Sequence, residues 1–285
     1  MWPLGTWQRS WGGLSFTTVA ALVAMNVMLI GENLAVFLCV KAPGGHLGFT
    51  ADFTAEAAPA WWFMAVPQAW TLGVEFLFYL MAPLLVRRRA AVVAAVLAAA
   101  AALRWWMLDG LGLKPDPWQH RFFPTELPFF LLGVLAYKVY DELDGTRWLA
   151  RKLSVPLFLI VLAMVLGYRY LPAYRGHLGM PYTSFVFAAA IPWIFALTRE
   201  NKLDRWVGEL SYAVYICHWF VAQALGQAGV GWVQQNKGVL TCALAIGLAI
   251  LLERVVERPI DRWRQALSRR ARKPVAAAER VSVAS

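Results

Sequence analysis

Long apolar runs, broken by short polar or Gly- and Pro-containing stretches, set the pattern of this chain. They predict eight helical segments, at about 14–40, 69–86, 90–107, 124–140, 154–171, 181–198, 207–226 and 238–256. A hydrocarbon crossing needs about 20 mainly apolar residues, so each run is near the length of a membrane span. The first is longer and is expected to tilt or to emerge from the bilayer. Several are interrupted by Pro or Gly, which membrane helices tolerate when neighbours re-satisfy the backbone. The Ala-rich run from Ala90 to Leu103 suits close helix packing. The pattern implies an all-α, polytopic integral membrane helical bundle of about eight spans, covering residues 1–265 as a single domain. Residues 266–285 form a basic tail expected to be disordered and cytoplasmic, preceded by a basic surface helix near Glu257–Arg270.

Composition supports the membrane reading: of 285 residues, 60% are hydrophobic and 15% charged, with a mean hydropathy of +0.52. Soluble domains run near 45–50% apolar and about 25% charged. The net charge of +10 is compatible with nucleic acid, acidic substrates or the cytoplasmic loops of a membrane protein. The distribution of charge decides between them. Twenty basic residues fall in one alternating set of loops, including Arg87, Arg88, Arg89, Lys138 and the run after Arg254, and six in the other. The positive-inside rule then puts both termini in the cytoplasm and removes nucleic acid as a partner. Cys39, Cys217 and Cys242 show no metal or disulfide spacing and read as small buried hydrophobes, and no metal site is expected.

Ionisable residues inside spans are costly and point to function. Glu75, Glu32, Arg104, Arg121 and Glu126 map to the outer third of the bundle, while His218 lies near mid-membrane. Ser211, Tyr215 and His218 share one helical stripe. Together these residues outline a polar cavity open to the outside. Two readings of Glu75 stand at this level: an ion pair with Arg104 or Arg121 that ties helices together, or a catalytic or substrate-binding carboxylate. His218 is either a catalytic base or a hydrogen-bonding group at a helix interface.

The segment from Gln68 to Pro83, with Trp70-Thr71-Leu72, Glu75, Phe78-Tyr79 and Pro83, resembles the W-S-L-x-x-E-x-x-F-Y-x-x-x-P signature of the acyltransferase 3 family. Further elements agree in order: Gly31-Glu32-Asn33, Arg121-Phe122-Phe123-Pro124-Thr125-Glu126-Leu127, Ser211-Tyr212 with Tyr215 and His218, and Glu257-Arg258-Pro259. Thr71 stands where the family usually has Ser, and Phe220 where Pro often follows the late His. The resemblance implies a multi-pass enzyme of the bacterial-type inner membrane that moves an acyl group, often acetyl, from acyl-CoA to a hydroxyl of a cell-envelope carbohydrate or lipid-linked glycan. Acyl-CoA is then a co-substrate, with no permanently bound cofactor, and membrane lipid surrounds the protein. Family members carry two further helices at the start, with a catalytic His and an R-x-x-R element. The chain is therefore expected to be an N-terminally incomplete domain.

In that frame Glu75 and His218 are the catalytic candidates. Trp70, Tyr79, Arg121, Glu126, Ser211, Tyr212 and Tyr215 are the substrate-binding candidates. The alternatives are a glycan or lipid transporter or flippase, suggested by the outer cavity, and an inactive truncated acyltransferase.

Overall fold

The computed structural model describes residues 11–28, 31–143, 147–167, 170 and 179–265. Helices dominate the described residues, which fall into two compact units divided between Asn201 and Lys202. The expected tail at 266–285 lies outside the described residues.

The first unit opens with α1 (Phe16–Met28). Ser15 Oγ accepts a hydrogen bond from the Thr18 N–H at 3.2 Å and so satisfies one of the donors left open at the helix start. The expected span 14–40 is not one helix. A single helical turn, α2 (Glu32–Ala35), follows, and the chain then extends into β1 (Leu38–Lys41), antiparallel to β2 (His46–Phe49). The reason lies in the turn Ala42-Pro43-Gly44-Gly45. Pro43 has no amide hydrogen to donate, and Gly44 and Gly45 take φ of 103° and 61°, which other residues rarely adopt. Gly45 also needs its missing side chain, because a Cβ there would sit 2.1 Å from the Gly13 carbonyl oxygen. Its own carbonyl accepts from Ser15 N–H at 3.1 Å, so the hairpin tip is tied to the entrance of α1.

Asn26 on α1 fastens the next segment. Its Oδ1 accepts from Ala65 N–H at 2.7 Å and its Nδ2 donates to the Phe63 carbonyl at 3.1 Å. Leu22, Ala35, Ala60, Phe63 and Met64 pack together beneath this layer.

Helices α3 (Trp70–Leu85), α4 (Ala90–Trp105), α5 (Phe123–Leu143), α6 (Arg147–Leu166) and α7 (Gly179–Thr198) complete the unit. Helix α4 packs on α5, α5 on α7, and α6 on α7, while α2 leans on α3. Val93, Leu131 and Val134 are the buried centre of the α4–α5 contact, with Phe78 of α3 against it. Phe78 stacks on Phe130 at a centroid distance of 4.5 Å. The chain leaves α4 through a π-helical turn, Trp106–Gly110. At the other end of α3, Lys138 Nζ donates to the Val86 carbonyl at 2.9 Å, a cation placed where a helix C-terminus favours one.

The second unit holds α8 (Lys202–Gln227), α9 (Gly231–Gln235) and α10 (Lys237–Leu252), which runs through a π-helical turn (Glu253–Glu257) and on as helix to residue 265. Leu210 and Ala213 of α8 pack on Ala249 of α10. Cys39 and Cys217 are buried, but Cys242 is exposed on α10, where an apolar face needs no protein cover if lipid is its solvent.

Among the described residues, three helices are long and apolar enough to cross a membrane: Pro67–Leu85, Ala90–Gly110 and Lys237–Gln265. Phe16–Met28, Lys152–Leu166 and Tyr182–Thr198 are shorter apolar helices. Large apolar side chains such as Leu84, Leu166, Phe185 and Val239 stand more than half exposed, which suits a surrounding bilayer and not water.

Candidate active site

In the first unit two of the candidate residues, Trp70 at the start of α3 and Arg121 in the loop before α5, meet. The loop from Leu111 to Phe122 folds back over this place. Its Trp118 Nε1 donates to the Ala51 carbonyl at 2.8 Å, and Phe37, Trp118 and Phe122 meet edge to face. The loop delivers Arg121 over Trp70. The guanidinium carbon lies 4.7 Å from the centre of the Trp70 ring and 5.4 Å from that of Phe53. Arg121 Nε donates to Asp116 Oδ2 at 2.9 Å. Asp116 Oδ1 is buried without a hydrogen-bond partner among the described residues. Arg121 is thus held by one nitrogen and sandwiched between aromatic faces, and neither Nη group is hydrogen-bonded among the described residues.

A cavity of about 530 Å³ opens beside it, lined by Asn33, Phe37, Phe49, Leu77, Arg121 and Phe122 among others. Its walls are apolar apart from Asn33 and Arg121, the composition expected of a small-molecule site with few polar contacts that fix orientation. Glu32, next to Asn33, is buried, and neither carboxylate oxygen has a hydrogen-bond partner among the described residues.

Glu126 is engaged elsewhere. Arg104 Nη1 lies 3.4 Å from Glu126 Oε1 and donates to the carbonyls of Gln119 and Thr125 at 2.8 and 2.7 Å. One nitrogen therefore gathers the loop and the first turn of α5. Thr125 Oγ1 sits against the carbonyls of Trp118 and Phe122 at 2.7 and 2.8 Å, reinforcing the same turn. His120 is half-buried beside this cluster. Burial is the largest influence on it and lowers its pKa; Asp116 pulls the other way, and Arg104 and Arg121 lower it further.

These contacts correct one reading of Glu75. Arg104 pairs with Glu126 and Arg121 with Asp116, and Glu75 has no hydrogen bond or ion pair among the described residues. It is half-buried, one turn before Tyr79 on the same face of α3. Tyr79 is 64% exposed.

In the second unit, Ser211, Tyr212, Tyr215 and His218 all lie on α8. Ser211 Oγ donates to the Gly208 carbonyl at 2.6 Å, and Tyr212 is exposed. The Tyr215 and His218 rings are 5.6 Å apart. His218 Nδ1 is 2.6 Å from the Tyr215 carbonyl oxygen. A carbonyl only accepts, so Nδ1 carries the hydrogen, and a neutral ring then keeps its lone pair on Nε2.

Sequence reasoning singled out Arg121 but missed Asp116, which holds it, and Phe53, whose ring lies against it. An acidic residue five positions before Arg121, next to Pro117, is the signal that was available.

Apolar helices of membrane-crossing length, with an apolar cavity that one arginine lines, define a helical membrane protein. The acyltransferase 3 family profile, described as an acyltransferase domain, matches residues 6–254, and the chain belongs to that family. It is a membrane acyltransferase. No curated protein and no solved structure matches it.

Proposed function

We propose that this protein transfers an acyl group, in the first instance acetyl, from acyl-CoA to a hydroxyl of a cell-envelope carbohydrate or lipid-linked glycan. The same reading places it in a bacterial-type inner membrane, with about eight spans and both termini cytoplasmic. The observation that carries it is the Arg121–Trp70 pair, whose arginine lines the 530 Å³ cavity. An indole face stacks on a sugar ring, and a guanidinium with two uncommitted Nη groups binds its hydroxyls or an oxyanion.

In this mechanism Glu75, with Tyr79 one turn further along α3, orients the acceptor hydroxyl or takes its proton, and His218 is the alternative base. The hydroxyl oxygen attacks the thioester carbonyl, and the tetrahedral oxyanion is held by donors such as Arg121. Collapse breaks the carbon–sulfur bond, and the coenzyme A thiolate leaves and takes up a proton. Trp70 shapes the acceptor surface beside Arg121, and Glu126 acts on that surface through Arg104, which holds the loop carrying Arg121. With His218 as the base, Ser211, Tyr212 and Tyr215 are its neighbours on α8.

The test is transfer of labelled acetyl from acetyl-CoA to envelope glycans by the purified protein in proteoliposomes. Loss of a general base typically costs about 10²–10⁴-fold, so whichever of Glu75→Gln and His218→Gln removes the base should fall in that range with folding intact. Full activity in both variants would remove these roles. Glycan movement across the vesicle wall without any acyl donor would favour a flippase instead.

A further inference from the structure

A second cavity, of about 320 Å³, lies on the other side of the Arg104 cluster. Leu97, Ala101, Trp105 and Leu108 line it from α4 and the turn that follows, at the spacing of a single helical stripe. Pro128, Phe129 and Leu132 of α5 form the facing wall, and Phe185 of α7 closes the side. Trp105 and Phe185 are 67% and 63% exposed, so the slot opens on the apolar outer surface of this unit. One end is different: Arg104 and Asp109 reach the wall there. Arg104 is 6% exposed, its guanidinium lies 4.9 Å over the Phe129 ring, and its Nη2 is buried with no hydrogen-bond partner among the described residues. All three oxygens that hold Arg104 bind Nη1 instead.

We propose that this slot binds one acyl chain of a membrane glycerophospholipid, with the chain's ester carbonyl accepting a hydrogen bond from Arg104 Nη2. An apolar trench ending on an unspent buried donor fits an amphiphile with a long hydrocarbon body and an oxygen at its head. A partner helix is about 10–12 Å across, too wide for a slot of this volume. The mouth beside Arg104 carries the Lys114–Asp109 ion pair at 3.1 Å, a polar rim suited to the headgroup side. The bound chain is distinct from the group being transferred, because none of the residues lining the 530 Å³ cavity lines this one.

The experiment places the purified full chain in nanodiscs with a trace of phosphatidylcholine carrying a diazirine in one acyl chain, and maps photolabelled peptides by mass spectrometry. Label should concentrate on the α4 and α5 stretches around Ala101 and Leu132, above the level on exposed apolar residues of α10 such as Val239 and Leu244. Filling the slot with Ala101→Trp should reduce slot labelling about fivefold or more while leaving α10 labelling unchanged, a change equivalent to one ordinary contact energy. An ether-linked competitor, which lacks the carbonyl, should displace the label less well than its ester counterpart, by a similar factor. Equal labelling of slot and α10 in the unmodified protein would overturn the proposal, whether or not the Trp variant folds. So would cross-links from slot residues to a second copy of the chain, or an ether competitor as effective as the ester.

Discussion

Removing the Arg121 guanidinium while keeping its length, as in Arg121→Met, tests whether the Trp70 contact contributes energy or is only proximity. The structure gives two separable contributions. The guanidinium over Trp70 at 4.7 Å is a cation–π contact, worth about 0.5–1 kcal/mol when exposed and about 2 when desolvated. The Nε–Asp116 bond at 2.9 Å is a hydrogen bond between charges, worth about 1.5–3 kcal/mol. The Arg121 and Asp116 side chains are each 24% exposed, which keeps both contributions toward the lower half of their ranges. Arg121→Met should therefore cost about 2–3 kcal/mol, much of it from leaving Asp116 with two unpaired oxygens. Trp70→Leu removes the ring and keeps an apolar side chain. The double variant isolates the ring–cation coupling, because the Asp116 cost appears in both arms that lack Arg121 and cancels. The expected coupling is about 1 kcal/mol. The assay is reversible denaturation in detergent micelles followed by far-UV circular dichroism for all four proteins. Additivity within about 0.3 kcal/mol would refute the reasoning and leave Asp116 as the sole anchor of Arg121.

Arg104→Met should be more damaging than Arg121→Met, at about 3–5 kcal/mol, because it leaves Glu126 in a buried site without its cation and the Gln119 and Thr125 carbonyls without a donor. Replacing Glu126 by Leu in the same chain should recover part of that loss, and a cost below about 1 kcal/mol in the same denaturation experiment would show that the cluster is solvated. His120 makes stability depend on pH: its folded-state pKa lies below the unfolded value of about 6.5, so the unfolded chain takes the proton first. Stability is complete above that value and falls as pH drops toward the lower folded-state pKa. His120→Asn should flatten the fall in denaturation midpoint between about pH 8 and pH 5, and an unchanged slope would assign the dependence to other groups.

The apolar runs located the helices well because a bilayer-length stretch leaves little choice of structure. The helices from α3 to α8 and α10 all overlap expected spans. The first run misled because hydrophobicity alone does not distinguish a continuous helix from α1 followed by an apolar hairpin. There the signal was the turn, Pro43-Gly44-Gly45, and not the hydropathy. At the site, Arg121 and Trp70 were both visible as motif residues, but their contact was not. It depends on how the loop from Leu111 to Phe122 folds back, and that path is set by Arg104 gripping carbonyls of Gln119 and Thr125, which no side-chain pattern encodes. The same cause moved Arg104 from an imagined partner of Glu75 to its real partner Glu126. The late motif was read more directly, since Tyr215 and His218 meet within one helix.

The Arg104 cluster also imposes an order on how the protein is made. Arg104 and Glu126 are 22 residues apart, and chains grow at about 5–20 residues per second, so the cation is synthesised about 1–4 s before its counter-charge. During that interval α4 must enter the bilayer with its arginine unpaired, near the end of the helix where a long side chain can still reach water. Emergence of α5 then closes the grip, drawing the intervening loop, and Arg121 with it, into place. Biogenesis and the setting of Arg121 over Trp70 are in this way a single event, completed when α5 arrives.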